Sequence, residues 1–326
     1  MAIIELDDLR RTFVVRKKTG RLARRREVVS AVDGITAAIE PGEACGYIGA
    51  NGAGKSTTIK MITGILVPTS GSVRTCGLQP VAQRKVLARR IGVVFGQRSQ
   101  LWWDLPLAES FTILAAMHRL SGADAKVRID DLVEQLDLGE FLQTPVRQLS
   151  LGQRMRGEVA AALVHRPELL ILDEPTIGLD MISKERLRKF LQAERAMQGT
   201  TLLLTTHDMG DIERLCERVL VVDHGRLVHD GRLDALRREV ALERTMVIDF
   251  AEPQAPLEIP GAELARSELD GLRQAFRFHP ATVTAAQVVA AASAYAPIND
   301  LTLEEPAIED IVRTLYERGS VRDADA

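Results

Sequence analysis

Apolar positions along this chain alternate between short strand-like runs and longer helical patterns. Strand-like runs occur at residues 3–15, 28–39, 44–48, 91–95, 169–172, 201–205 and 219–223. Between residues 107 and 138 the apolar spacing is helical, with matches at i, i+3, i+4 and i+7. Further helices are predicted near residues 183–197 and 211–216. Strands that alternate with helices predict a mostly parallel sheet with helices on its faces.

The pattern changes after about Arg238. Half-buried strands are predicted at residues 245–250, 272–278 and 300–304, and helices at 283–294 and 306–316. We therefore expect two domains. Residues 1–238 form an α/β domain with a β-rich N-terminal subdomain and a helical insertion at about 100–166, and residues 239–326 form a small α+β accessory domain.

Composition narrows the class of protein. The chain has 326 residues and a formal net charge of −3, which argues against bulk nucleic-acid binding. Its three cysteines lack metal-ligand spacing, and no leader or bilayer-length apolar run is evident, so we expect a soluble, cytoplasmic protein. The basic segment 16–26 is interpreted as a solvated hairpin tip, with contact to anionic lipid as the alternative.

A glycine-rich loop, GANGAGKS, follows the apolar run at 44–48 and precedes a helical pattern. Gly49, Gly52 and Gly54 allow backbone N–H groups to point inward, Lys55 supplies positive charge, and Ser56 offers a hydroxyl to Mg²⁺. This arrangement predicts a site for a nucleoside triphosphate.

Two carboxylates end the apolar run LLIL at residues 169–172. Parallel strands deliver their carboxyl ends to one sheet edge, where the phosphates are expected to lie. Asp173 is therefore the candidate Mg²⁺ ligand beside Ser56, and Glu174 is the candidate general base for an attacking water.

Two further polar residues follow predicted strands. His207 is placed to contact the γ-phosphate or orient the water, although a packed or surface histidine is the simpler interpretation of a lone His. Gln97 offers an amide oxygen to Mg²⁺ or the water, and a plain loop glutamine is the alternative.

The stretch LSLGQ at residues 149–153 precedes another helix. Ser150 and Gly152 gather a hydroxyl and backbone N–H groups at a positive helix end, which attracts anions. Since the chain already has one phosphate site, this second site is best explained if it binds the nucleotide held by another copy of the domain. A serine N-cap with nothing bound is the alternative.

In this order the motifs resemble those of the ATP-binding subunits of ABC transporters, over roughly residues 3–231. The match comprises the Walker A loop 49–57, Q-loop Gln97, signature LSLGQ, Walker B ending at Asp173 and Glu174, D-loop 178–180 and switch His207. The resemblance adds Ala50, Asn51, Ala53 and Thr57 to the ATP-binding loop, and it implies a P-loop NTPase core with ATP and Mg²⁺ as cofactors.

The resemblance also implies a head-to-tail dimer in which the signature of one subunit closes over ATP on the other. The residues that take part are Ser150, Gly152, Gln153 and Asp180, and Phe13 matches the aromatic that stacks on adenine. The signature usually has glycine where this chain has Leu151, and a positive φ there would strain leucine.

Closer similarity is to the ATPases of ABC-2 exporters, carried by FGQRSQLWWDLP at 95–106, by TIGLD, by THDM and by a PAIEDI-like C-terminal helix. It implies an ATPase that powers export through polytopic permease subunits on the cytoplasmic face of the membrane, with Trp102 and Trp103 near the permease contact. The partners would be a second copy or a homologous ATPase subunit, and no nucleic acid. A soluble ABC-type ATPase acting in translation or nucleic-acid repair is the alternative.

Overall fold

The computed structural model describes residues 1–18, 24–96, 99–239, 243–304 and 310–315. The chain divides into two compact units, residues 1–233 and residues 234–326. The sequence places this boundary slightly later, after residue 238.

The first unit contains two sheets and a set of helices. Its strands are β1 (Ile4–Lys18), β2 (Arg24–Ile39), β3 (Ala44–Gly49), β4 (Ser70–Thr75), β5 (Ile91–Phe95), β6 (Leu169–Asp173), β7 (Thr201–Thr205), β8 (Arg218–Asp223) and β9 (Arg226–Arg232). Its helices are α1 (Lys55–Ile62), α2 (Arg84–Leu87), α3 (Leu107–Met117), α4 (Gly122–Gln135), α5 (Leu151–Leu163), α6 (Met181–Gln198) and α7 (Met209–Leu215), and α8 (Leu233–Glu239) begins at the end of the unit.

The central sheet has the strand order β5-β6-β7-β3-β8-β9. Neighbouring strands are parallel except that β9 runs antiparallel to β8. Residues Leu169 to Leu172 of β6 are completely buried, as expected for a central strand that is covered on both faces. The predicted α/β class with a mostly parallel sheet is confirmed.

A second, antiparallel sheet has the order β2-β1-β4. β1 pairs with β4 only as far as Arg10, opposite Ser70, whereas its pairing with β2 continues to Lys18, opposite Arg24. The hairpin thus continues as a two-stranded ribbon into the basic segment 16–26. Residues 19–23 of the predicted hairpin tip lie outside the described residues.

Three strands that the structure shows were not predicted, because their residues lack the apolar pattern of a strand. β4 and β9 carry mostly polar or half-exposed residues, and the strand at 262–268 is largely exposed. Each pairs with a strand distant in sequence or completes a sheet edge, so few of its side chains need be apolar.

The predicted helical insertion is formed by α3, α4 and α5. Their common core includes Phe111, Leu132 and Val159, all at most 1% exposed. A buried ion pair joins the insertion to the central sheet layer: Arg128 Nη2 of α4 lies 2.5 Å from Glu194 Oε1 of α6. Both side chains are at most 2% exposed.

The second unit is a small α+β structure. It comprises β10 (Arg244–Phe250), β11 (Ala262–Glu268), β12 (Arg273–Phe278), α9 (Ala285–Ser293) and β13 (Ile298–Glu304), followed by helical residues 310–315. The antiparallel sheet has the order β11-β12-β10-β13, and its core includes Ile248, Phe276 and Val288. The predicted helix start at Pro306 lies outside the described residues.

Over the described part of the chain, every helix is too short or too polar to cross a membrane. The three cysteines, Cys45, Cys76 and Cys216, are free and buried.

Candidate active site

The glycine-rich loop between β3 and α1 folds around the amine of its own lysine. Lys55 Nζ donates hydrogen bonds to the carbonyl oxygens of Gly49 (2.6 Å) and Ala50 (3.1 Å). Gly54 precedes α1 with φ 101°, and a Cβ there would lie 2.3 Å from the carbonyl oxygen of Ala31. Only glycine fits this position, because any side chain would collide with the backbone at Ala31. The loop of residues 49–56 is called the cradle below.

A cavity of about 510 Å³ opens above this loop at the carboxyl ends of the parallel strands. Ten of the predicted site residues line it: Ala50, Asn51, Gly52, Gly54, Lys55, Ser56, Thr57, Asp173, Glu174 and His207. Gly49 and Ala53 support the loop from behind, because a Cβ on Gly49 would lie 2.5 Å from the Val222 carbonyl oxygen and Ala53 is only 3% exposed.

The two carboxylates at the end of β6 are held differently. Asp173 accepts a hydrogen bond from the Thr205 hydroxyl of β7 at 2.5 Å. The next residue, Glu174, has a left-handed backbone with φ 56°, and its N–H donates to the carbonyl oxygen of Thr205 at 2.9 Å. A non-glycine residue in this region is strained, and such strain concentrates at functional sites.

Glu174 lies directly beside His207. Glu174 Oε1 is 3.4 Å from His207 Nε2, and Glu174 Oε2 accepts from the His207 backbone N–H at 3.3 Å. Burial raises the pKa of Glu174, against the opposing effect of His207. A carboxyl with a raised pKa and a histidine neighbour is suited to accept a proton from water.

The pKa of Lys55, which supplies positive charge in the cradle, is also shifted. Burial lowers the pKa of Lys55, while the carboxylates of Glu174 and Asp173 oppose that effect. Lys60 also lines the cavity, so two lysines lie there with the two acids and supply positive charge for a phosphate group.

Of the residues predicted to bind the nucleotide or Mg²⁺ within one chain, Gln97 and Phe13 are not among the described residues that line or support the cavity. Gln97 lies outside the described residues. Phe13 lies on β1 opposite Val29, with the Arg11 guanidinium carbon 4.7 Å from its ring centroid, and it does not belong to the described lining.

The signature residues cap a helix away from the cavity lining. Ser150 is the N-cap of α5: its hydroxyl accepts from the Gln153 N–H at 3.2 Å, and Gln153 Oε1 accepts from the Ser150 N–H at 2.9 Å. Leu151 begins the helix without a positive φ, so leucine carries no backbone strain at this position.

Leu151 packs against the loop that precedes α6. Gly178 in that loop has φ 73°, and a Cβ on it would lie 2.3 Å from Leu151 Cδ2. Gly152 faces the same loop, since a Cβ on it would lie 3.2 Å from the Gly178 carbonyl oxygen. Asp180 then caps α6 by accepting from the Ser183 N–H at 2.8 Å, which lowers its pKa.

Ser150, Gly152, Gln153 and Asp180 thus lie together, and none of them is among the described residues that line the cavity. One chain brings together the cradle, the acids and the switch histidine, but leaves the signature group apart from them.

Sequence reasoning missed three polar residues behind the site. Thr176, Thr206 and Asp211 are each at most 3% exposed and are joined by hydrogen bonds. The two threonines are close in sequence to Glu174 and His207, which is a usable signal. Asp211 gives none, because an aspartate in the first turn of a helix is usually solvated.

Comparisons with known proteins agree with this geometry. A family model described as ABC transporter matches residues 32–177. The ABC transporter ATP-binding protein NatA of Bacillus subtilis is 33% identical over 234 residues, covering 72% of this chain and 91% of NatA. The Nod factor export ATP-binding protein I of Cupriavidus metallidurans is 39% identical over 247 residues, covering 74% of this chain and 78% of that protein.

Solved structures show the same fold. A dimeric ATP-binding cassette in a post-hydrolysis state, bound to ADP and Pi, superposes with a TM-score of 0.61 at 26% identity, covering 71% of this chain and 98% of that one. The resemblance to ABC-2 exporter ATPases is confirmed, and this chain belongs to the ATP-binding subunits of ABC transporters, which are ATPases.

Proposed function

We propose that two copies of this chain clasp two ATP molecules between them and that hydrolysis releases the clasp, driving export through membrane permease subunits. The observation that carries the proposal is the division of the site. The cradle, Asp173, Glu174 and His207 line one cavity, whereas the signature group around Ser150 lies elsewhere on the same chain.

The signature group is ready to receive a phosphate from outside. The Ser150 hydroxyl accepts from the helix backbone, which leaves its proton free to be donated to an incoming anion. The N-terminus of α5 adds a partial positive charge. With Gly152, Gln153 and Asp180 beside it, this surface would complete the ATP site of a partner copy.

Residues at the cavity fit a magnesium ion. Magnesium is usually bound by one or two carboxylates together with substrate phosphates, and Asp173 and Ser56 supply a carboxylate and a hydroxyl to one cavity. The Thr205 hydroxyl fixes the Asp173 carboxylate at 2.5 Å. Mg²⁺ would neutralise phosphate charge there, and Gln97 remains a predicted additional ligand.

Within this arrangement, the chain's own groups divide the chemistry. The cradle N–H groups and Lys55 hold the phosphates, and Glu174 takes the proton of the attacking water. His207, 3.4 Å from Glu174, orients that water or donates to the γ-phosphate. Phe13 is proposed to stack on the adenine.

The energy required is modest. Shifting a dimer from about 1:99 to 99:1 closed needs roughly 5.5 kcal/mol of differential binding. A charge-assisted hydrogen bond contributes about 1.5 to 3 kcal/mol. A few contacts from the signature to phosphate at two sites therefore suffice.

The permease contact is proposed near Trp103. Its side chain is 52% exposed, and the Arg154 guanidinium carbon lies 5.6 Å from its ring centroid. A large exposed aromatic is typical of protein interfaces. We propose that the chain works on the cytoplasmic face of the membrane through this contact.

The decisive experiment uses Glu174→Gln, which keeps the side chain's shape and removes the base. With ATP and Mg²⁺ the variant should elute as a dimer in size-exclusion chromatography and should lose nearly all hydrolysis. Adding Ser150→Ala should weaken the dimer while ATP still binds. A Glu174→Gln protein that hydrolyses ATP at the parental rate would exclude Glu174 as the base, and a loaded protein that stays monomeric with its permease would exclude the clasp.

A further inference from the structure

Asp211 is a fully buried carboxylate at the start of α7. One oxygen, Oδ2, accepts hydrogen bonds from the hydroxyls of Thr176 at 2.6 Å and Thr206 at 3.3 Å. The other, Oδ1, accepts from Arg188 of α6, with Nη2 at 2.5 Å and Nε at 2.7 Å. Each oxygen of the Asp211 carboxylate therefore has two polar contacts, Oδ2 with the two threonine hydroxyls and Oδ1 with the Arg188 guanidinium.

The two threonines lie close in sequence to the two reacting residues. Thr176 is the second residue after Glu174, and Thr206 immediately precedes His207. Their hydroxyls converge on a single oxygen of Asp211. The backbone that carries the proposed base and the backbone that carries the switch histidine are thus tied to one rigid point.

The same network continues past His207. The Thr206 hydroxyl also accepts from the Asp208 N–H at 3.0 Å, so both neighbours of His207 are fixed. The Asp208 carboxylate lies 2.5 Å from Lys184 Nζ and 3.4 Å from Arg188 Nη2. Arg188 therefore joins the two aspartates on either side of the start of α7.

We propose that Asp211 is a positioning residue for ATP hydrolysis, which holds Glu174 and His207 at their mutual distance without touching the nucleotide. The inference rests on the proposed roles of those two residues. The cradle that binds ATP has no described hydrogen bond to this network, so loss of Asp211 should affect turnover rather than nucleotide affinity.

Asparagine at position 211 would keep the size and shape of the aspartate side chain but would replace one acceptor oxygen by a donor NH₂ group. Its amide oxygen can still accept from the threonine hydroxyls, but its NH₂ group would point donors at the Arg188 guanidinium. The guanidinium would then keep a charge without its buried partner. Replacing Arg188 by glutamine as well restores a donor opposite an acceptor and removes both charges.

The test compares kcat and KM for ATP in Asp211→Asn, in Asp211→Asn with Arg188→Gln, and in Thr206→Val. Displacing reacting groups by about 1 Å can lower turnover by about a hundredfold, so we expect kcat of Asp211→Asn to fall by on the order of tenfold to a hundredfold. The KM should stay within about threefold, and the double variant should recover part of kcat.

A matched control is Thr200→Val. Thr200 is 2% exposed, precedes the opposite end of β7 and donates one hydrogen bond to the Pro167 carbonyl oxygen at 3.4 Å. It removes a buried threonine hydroxyl as Thr206→Val does, but remote from His207, and its kcat should stay near that of the parent.

Three outcomes would overturn the proposal. They are an unchanged kcat in a folded Asp211→Asn, a loss explained by KM alone, and no recovery in the double variant. If Asp211→Asn does not fold, Thr206→Val decides in the same way against Thr200→Val. Glu174→Gln in the same assay separates the two hypotheses: if it stays active, the proposed base is wrong, whereas an inactive Glu174→Gln beside a fully active Thr206→Val rejects only the role of Asp211.

Discussion

At the scale of single residues, Glu174 combines two unfavourable features. Its backbone lies in the left-handed region, and burial disfavours its charged form. A protein gains no stability from either feature, and both are typical of catalytic residues. The neighbouring Asp173, one residue earlier on the regular strand, is instead held by a threonine hydroxyl.

The raised pKa of Glu174 predicts the acid limb of the pH profile. Only the deprotonated carboxylate accepts a proton, so kcat should fall as the pH drops through the pKa of Glu174. Because burial raises that pKa, the midpoint should lie above the value near 4.3 of an ordinary glutamate. Steady-state ATPase assays across pH, with ATP saturating, measure it.

The control for this profile is nucleotide binding by Glu174→Gln, which should show no corresponding midpoint. A kcat that stays constant down to the pH range of an unperturbed carboxyl would contradict the prediction.

Which site residues could be predicted depends on how local their chemistry is. Lys55 and its glycines act through neighbouring backbone, so the sequence alone indicates the cradle. Asp173 and Glu174 could be predicted because they directly follow an apolar run that forms a buried strand. Asp211 could not be found in this way, since its partners Thr176 and Arg188 come from distant elements and its burial is a tertiary property.

At the scale of elements, the buried pair Arg128–Glu194 fixes the helical insertion to α6. Arg128 also donates to the Leu163 carbonyl oxygen at 3.3 Å, which ties α4 to the end of α5. Glu194 Oε2 has no hydrogen-bond partner among the described residues. The pair is thus well placed to specify the orientation of the insertion, at the expense of desolvating two charges.

Removing one residue of the Arg128–Glu194 pair should lower the stability of the fold much more than replacing both residues. Glu194→Gln leaves the buried guanidinium with only the half-exposed Asp131, 3.2 Å from its Nη1, as a counter-charge, and it should cost up to about 3 to 5 kcal/mol. In a unit of this size that lowers the thermal midpoint by about 2 to 4 °C per kcal/mol. The double variant Arg128→Met with Glu194→Leu should recover most of the loss, as measured by differential scanning calorimetry.

An exposed pair provides the comparison. Lys126 and Asp130 of α4 form an ion pair with side chains 76% and 65% exposed, and Asp130→Asn should change the midpoint little. Equal effects of Asp130→Asn and Glu194→Gln would show that burial of the pair does not matter.

Element prediction succeeded where the apolar pattern is dense. β6 and β7 are continuous buried runs, and α4 has clear helical spacing, so each was predicted from sequence. β4 is a strand because β1, distant in sequence, supplies its hydrogen bonds, and β11 is an edge strand paired only with β12; the side chains of both are mostly polar or exposed. Local patterning cannot reveal that cause.

At the scale of the whole molecule, the two units have separate cores. The second unit buries its own apolar set, including Ile248 and Phe276. Every described residue that lines the nucleotide cavity lies between Ala31 and His207, within the first unit.

A chain that ends at Glu239, the last residue of α8, should therefore bind ATP with a Kd within about threefold of the full chain. Fluorescent-nucleotide titration measures this, with full-length Lys55→Ala as the reference that lacks the cradle amine. A truncated protein that is folded but binds as weakly as that reference would show that the second unit contributes to the site.

The contact between Leu151 and Gly178 has a consequence for how such sequences diverge. Because the leucine occupies the space that a methyl group at 178 would need, each residue limits what evolution can place at the other. Because the φ of 73° at Gly178 also disfavours any side chain there, we expect glycine to persist at 178 among descendants of this lineage, even where 151 has become smaller.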